Sequence, residues 1–176
     1  MISFQRISAV FSLPLLLLAC AVGLAGCASA PKPAPYTIKL TLDPSLAGTS
    51  LQLDIIGANT TSDLPKWQNY SVTNYWQPGN AFRRDARKVT LAFGRGQPTV
   101  QTLASTDAQW AEWLRTGAMH LVLVADLPGT VADQVGNADP RRLILPLDRS
   151  AWGSKVKEID VVVQESGLRL MTPRRP

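Results

Sequence analysis

The sequence predicts a mainly β fold: a two-sheet antiparallel β-sandwich with one short docked α-helix. Three observations predict it. Apolar and polar residues alternate in several short runs between positions 36 and 171, the period-2 signature of half-buried strands. Turn signals built on Gly, Pro, Asp and Asn separate these runs at intervals typical of sandwiches. One stretch, 106–116, has helical spacing together with start and stop signals.

The first strand covers 36–42, where Tyr36, Ile38, Leu40 and Leu42 alternate with Thr37, Lys39 and Thr41. Asp43-Pro44 ends it. Leu51, Leu53 and Ile55, set against Gln52 and Asp54, give a second strand before Gly57. Two such runs in close succession suggest a hairpin, while residues 45–50 leave room for a longer crossing. Residues 59–85 show no clean period but are rich in aromatics. A connection of this length inside a compact domain carries structure of its own or a function. Its aromatics have two readings, a cover for a sheet or one end of the core, which is the commoner, and a contact surface. Trp67, Tyr75, Trp76 and Phe82 are the candidate partner-binding residues.

Regular pattern resumes at 88–93, with Val89, Leu91 and Phe93 on one face, and a weaker strand follows Gly94-Arg95-Gly96 at 99–103. In the helical stretch Thr106 and Gln109 match a capping box, Trp110, Trp113 and Leu114 share a face, and Gly117 is the stop. Residues 119–126 are apolar on both faces apart from His120, as a central strand should be. A polar loop, 128–139, leads to a strand at 142–147. Two runs, 155–164 and 168–171, flank Glu165-Ser166-Gly167 as a closing hairpin. That makes seven or eight strands in a sandwich domain spanning 36–172, with residues 173–176 expected to be disordered.

The first 26 residues differ in kind. Arg6 is their one charge, residues 9–26 carry none, and four leucines (Leu15 to Leu18) form the centre. This is the basic start, apolar middle and small-residue end of a secretory signal. Its ending, Leu24-Ala25-Gly26-Cys27, resembles the lipobox of bacterial lipoproteins. That resemblance implies cleavage before Cys27, a diacylglyceryl group on its thiol and an N-acyl chain (typically palmitate) on its freed amine. One acyl chain anchors marginally, and several make attachment effectively permanent. A transmembrane helix is the competing reading, but residues 9–26 sit near the lower limit for spanning. An uncleaved helix also has no use for Leu-Ala-Gly-Cys at its end. Ala28, not aspartate, follows the cysteine, and the resemblance to lipoproteins sorted on that position implies the periplasmic face of the outer membrane. Residues 27–35, with Pro31, Pro33 and Pro35, read as an extended tether of roughly 20–25 Å.

Without Arg6 the chain holds 17 basic and 13 acidic residues. That mild excess, spread over the pairs at 83–84, 87–88, 141–142 and 174–175, reads as solvated surface and does not suggest nucleic acid. Catalytic ingredients are sparse. His120 is the single histidine, and there is no nucleophile elbow or zinc ligand set. Asp126, Asp133 and Asp139 lack calcium-loop spacing. Glu158 and Asp160 read as a wet strand face. An enzyme is not expected, and neither is a cofactor or metal beyond the lipid on Cys27.

The order of parts from Tyr36 to Leu170 resembles the outer-membrane lipoprotein family of the type VI secretion system, TssJ. The likeness is carried by the two strands of 36–57, by the helix running into a central strand at 106–126, and by the closing strands of 142–170 with Trp152 in their connection. It implies a transthyretin-like sandwich with an added helix, and a non-enzymatic adaptor that grips an inner-membrane partner through the loop between its first two strands. That loop is short here (43–50), which makes the aromatic segment 59–85 an alternative contact. A glycan- or peptidoglycan-binding lipoprotein stacking sugars on Trp67, Tyr75 and Trp76 is the rival reading, and a hydrolase centred on His120 the third.

Overall fold

A computed structural model describes residues 32–175. The signal segment, the lipobox residues Leu24, Ala25 and Gly26, Cys27 and most of the expected tether lie outside them.

Among the described residues, eight strands form two four-stranded sheets. The first sheet has the order β4-β1-β7-β8, built from β4 (Val100–Leu103), β1 (Thr37–Leu42), β7 (Glu158–Gln164) and β8 (Gly167–Leu170). The second has the order β3-β2-β5-β6, from β3 (Lys88–Phe93), β2 (Leu51–Ala58), β5 (His120–Ala125) and β6 (Arg142–Pro146). The sandwich is therefore observed, as is the closing hairpin, in which Gln164 faces Gly167. Two details depart from expectation. β1 and β2 are not a hairpin: residues 43–50 cross between sheets, the alternative that the length of this segment had left open. One ladder, β1 with β7, is parallel, because the chain returns to the first sheet at the end where β1 began.

Inner faces follow the alternation of the sequence. Ile38, Leu40 and Leu42 of β1 and Ile159, Val161 and Val163 of β7 meet Leu53, Ile55, Leu121, Leu123 and Leu145 across the sandwich. The docked helix, here α4 (Ala108–Arg115), closes one end with Trp110 and Trp113 buried. Asp107 caps it, accepting from the Gln109 N–H at 2.8 Å, so the expected Thr106 cap is displaced by one residue. Its end is a Schellman motif: Gly117, at φ 80°, donates to Leu114 O and Ala118 donates to Trp113 O. Gly57 makes the docking possible. A Cβ there would lie 2.4 Å from Trp113 Cγ, so only glycine lets the indole seat against β2.

β5 is buried along almost its whole length, because the second sheet is covered on its outer face as well. Three short helices, α1 (Leu64–Asn69), α2 (Val72–Tyr75) and α3 (Ala81–Asp85), lie there as a third layer. The outer face of the first sheet stays wet: Lys39 pairs with Asp160 at 3.1 Å and Glu158 at 3.9 Å on an exposed surface.

Both ends of the described residues are tied down by hydrogen bonds. Ala34, inside the expected tether, is buried and donates to Leu147 O at 3.1 Å, and Pro33 bridges to Asp148. The disordered tail is corrected as far as Arg175. The Asp160 N–H donates to Thr172 Oγ1 at 2.8 Å, Arg174 donates to Ile144 O at 2.7 Å, and the Arg175 N–H donates to Ala151 O at 3.0 Å.

Candidate functional site

The aromatic segment is where sequence placed the candidate site, and its local structure explains why no period was visible. Each helix is too short to show one. Each still has its own start: Pro65 opens α1, Ser71 Oγ accepts from the Asn74 N–H at 2.9 Å, and Asn80 Oδ1 accepts from the Arg83 N–H at 2.8 Å.

Of the four candidates, Trp67 and Tyr75 are buried against Ile56, Ala58, Val122, Val124 and Ile144 of the second sheet. Phe82 stacks on Tyr70 at 4.2 Å and packs on Trp67 at 4.5 Å. The structure brings all four together as a small second core, the commoner of the two readings. It also takes Trp67 and Tyr75 out of contention as sugar platforms, since neither offers an open ring face. Trp76 is half-buried at the edge of this cluster, with the Arg83 guanidinium 4.0 Å from its ring. Its indole N–H is buried without an acceptor among the described residues. It borders a hollow of about 370 Å³ shared with Thr73, Asp126 and Arg141.

Three charged fastenings hold this layer to the sheet, and residue patterning alone did not single them out. Asp54, fully buried on β2, accepts from Tyr75 Oη at 2.8 Å, Arg83 Nε at 2.8 Å and Thr90 Oγ1 at 2.6 Å. Burial, then the Asp54 charge, pushes the Tyr75 phenol well above its usual range, which keeps it a donor. Arg141 forms a two-pronged pair with Asp139 at 3.0 and 2.9 Å and reaches Asp133 at 2.6 Å. Asp133 in turn accepts from Ser71 Oγ at 2.5 Å and the Thr73 N–H at 3.0 Å. Arg142, also buried, has no carboxylate partner among the described residues. It donates to Trp67 O at 2.7 Å and Tyr70 O at 2.8 Å at the carboxyl end of α1, and to Gly136 O and Gln134 O in the loop beyond. A guanidinium there satisfies orphan helix carbonyls and complements the dipole. The reading of 83–84 and 141–142 as solvated surface is thus corrected for Arg83, Arg141 and Arg142. The signal that could have found them is their position: Asp54 and Arg142 fall on the second face of strands whose first face is core.

These pairs have a pH signature. Burial pushes the Asp133 carboxyl upward, but hydrogen bonds from Ser71, Thr73 and Arg141 outweigh it and hold the group at about 2. Asp139 is lowered as well, against burial, chiefly by Arg141. A carboxylate depressed by folding adds stability above its ordinary value, near 3.9, and that stability is lost as pH falls through the folded value. The thermal midpoint should therefore drop between about pH 4 and pH 2. Asp133→Asn should lower it by about 3–5 °C at pH 6, as about 1 kcal/mol does in a domain of this size. The variant and wild-type curves should converge near pH 2. A constant gap across a calorimetric pH series would show that Asp133 contributes nothing through its charge.

His120 opens β5 on its outer face, with Thr60 Oγ1 3.5 Å from Nδ1. Burial, then Arg174, lowers its pKa, which favours a neutral imidazole. No group of three or more His, Cys, Asp or Glu that could hold a metal ion converges among the described residues. No helix among them is long and apolar enough to cross a membrane.

No family model matches the chain, and no curated protein matches it. Solved structures do. The chain is similar to the type VI secretion lipoprotein TssJ1 of Pseudomonas aeruginosa, at 14% identity and TM-score 0.44, covering 82% of this chain and all of that one. It is similar to Lip of Serratia marcescens, a membrane-bound component of the type VI secretion system, at 11% identity and TM-score 0.46, over 78% of this chain and 96% of Lip. It is similar to a chain of a type VI membrane complex at 11% identity and TM-score 0.49, over 80% of this chain and 99% of the other. Type VI secretion lipoproteins are thus among the structural neighbours of this sandwich, at low sequence identity.

Proposed function

We propose that this protein is a non-enzymatic adaptor lipoprotein, held by acyl chains on Cys27 at the periplasmic face of the outer membrane, within a type VI-like secretion membrane complex. The observation that carries this reading is the closeness of lipobox and domain. Residues 24–27 read Leu-Ala-Gly-Cys, and the folded unit starts by Pro33, which already bridges to Asp148. Such an arrangement holds a rigid sandwich near a bilayer. Support also comes from what the polar groups do: Asp54, Arg83, Asp139, Arg141 and Arg142 are spent on fastening the aromatic layer. For partner contact, Trp76 and Phe82 remain of the original four, both half-buried and each bordering an open hollow.

The test joins fractionation with capture. Cys27→Ser is expected to move the protein from the membrane to the soluble periplasmic fraction, and a pull-down of the wild type from native membranes is expected to recover an envelope protein of a secretion complex. Continued membrane association of Cys27→Ser, or clean recovery of the lipoprotein alone, would count decisively against the adaptor.

A further inference from the structure

The parallel pairing of β1 and β7 starts both strands at the same end of the sandwich, Thr37 beside Glu158. The segments leading into them, 32–36 and 147–157, are therefore neighbours. Between them lies a hollow of about 650 Å³ whose lining includes Tyr36, Ser105 and Ser154 and three cations, Arg149, Lys157 and Arg175. The tail brings the third: the Arg175 N–H donates to Ala151 O at 3.0 Å. Lys32 is tied to this lining by backbone, its carbonyl accepting from the Arg149 N–H at 3.4 Å.

What sets these cations apart is that they converge. Lys39, Arg83, Arg84, Arg87, Arg115 and Arg141 each pair with a carboxylate. Among the described residues, Lys32, Arg149, Lys157 and Arg175 are exposed and in no ion pair, as are scattered cations such as Lys66, Arg95 and Arg169, but Arg149, Lys157 and Arg175 line one hollow. Two acids lie near, and neither lines the hollow. Asp148 accepts from the Ser150 N–H, Ser150 Oγ and the Lys32 N–H, and Glu158 faces Lys39. Chain length supplies the second argument. Cys27 precedes Lys32 by five residues, a reach of no more than about 18 Å. A cation cluster so tied to a bilayer meets headgroups at high local concentration.

We infer that this hollow is a docking site for the phosphate of an anionic lipid headgroup in the leaflet that holds Cys27. The site supplements the acyl anchor and orients the sandwich with the β1 start toward the bilayer. It rests on the acylation proposed above. Guanidinium and ammonium groups converging without a carboxylate suit a phosphodiester.

The test uses residues 27–176 carrying Cys27→Ser, exported from a conventional cleavable signal, so that no acyl chain contributes. Vesicles are phosphatidylcholine alone or phosphatidylcholine with about one-third phosphatidylglycerol, at low salt. The protein should co-sediment with the anionic vesicles and not with the neutral ones. Arg149→Gln, Lys157→Gln and Arg175→Gln together should lower the partition more than tenfold, at about fivefold per cation. Lys66→Gln, Arg95→Gln and Arg169→Gln, which remove equal charge from other exposed positions, should leave it within about twofold. Equal loss in both triple variants, with thermal midpoints unchanged, would reduce the effect to net charge and overturn the site. Absence of any preference for anionic vesicles does the same. Displacement by inorganic phosphate at constant ionic strength would reassign the hollow to a free anion and overturn the lipid assignment. Fatty-acid labelling of the wild type reports Cys27 separately, so failure of the anchor and failure of the patch are distinguishable.

Discussion

Arg83→Ala is expected to destabilise the domain by about 3–5 kcal/mol, more than Asp54→Asn does, although the two residues share one ion pair. The asymmetry comes from burial. The Asp54 side chain is 0% exposed and that of Arg83 27%. Without Arg83, a carboxylate is left inside with only the Tyr75 and Thr90 hydroxyls, and an uncompensated buried charge is the costly outcome. Without the Asp54 charge, Arg83 can turn to water and keep its stacking on Trp76, so Asp54→Asn should cost about 1–3 kcal/mol. Urea denaturation of both single variants and the double variant checks this. Arg83→Ala should cost at least about 1 kcal/mol less in the Asp54→Asn background than in the wild type. Equal costs in the two backgrounds would mean that the pair does not fasten α3 to the sheet. Domains of this kind have only about 5–15 kcal/mol in total, so Arg83→Ala threatens folding at growth temperature.

Trp152→Ala is the second large effect, expected at about 3–5 kcal/mol. Trp152 is wholly buried, its indole N–H donates to Pro146 O at 3.0 Å, Tyr36 packs at 6.2 Å, and the Arg174 guanidinium lies 5.7 Å from the ring. The side chain joins the entry segment, the 147–157 connection and the carboxyl-terminal tail. Removing it leaves a cavity where these three meet, and hydrogen exchange should rise there before it rises in β2 or β5. Trp152→Phe keeps much of the volume but orphans the Pro146 carbonyl, and should cost about 1–2 kcal/mol. Indistinguishable exchange in the three segments would show that Trp152 is not their common support.

Residue patterning made the strands legible and left the third layer unread. In Leu51, Leu53 and Ile55 the alternation names one buried face of β2, and it says nothing against the other face being buried too. Asp54 then looks solvated, because a lone carboxylate carries no sign that Arg83, 29 residues on, will reach it. The clue was β5, apolar on both faces, which requires a cover on both sides. Residues 59–85 are that cover, and their helices of four to six residues fall below the length at which a 3.6-residue period can appear. The crossover after β1 is ambiguous in sequence for a similar reason: eight residues suit either a loose hairpin or a step between sheets. The acylation of Cys27 is an expectation from sequence alone, a short motif closing an apolar segment outside the described residues. The hollow beside the entry was not legible there, since Arg149, Lys157 and Arg175 become neighbours only through the parallel pairing.

That parallel pairing has a mechanical consequence under the proposed anchoring at Cys27. β1 lies between β4 and β7, in register with β7 over six residue pairs and with β4 over four. A pull transmitted through the chain before Lys32, and resisted at the opposite end of the sandwich, runs along β1. Its ladders lie across that pull on both sides. They are loaded in shear, and the bonds must yield together, whereas a strand peeled sideways gives them up one at a time. Resistance to force is set by the rate of unfolding rather than by equilibrium stability. The first strand of this domain is thus placed to bear traction.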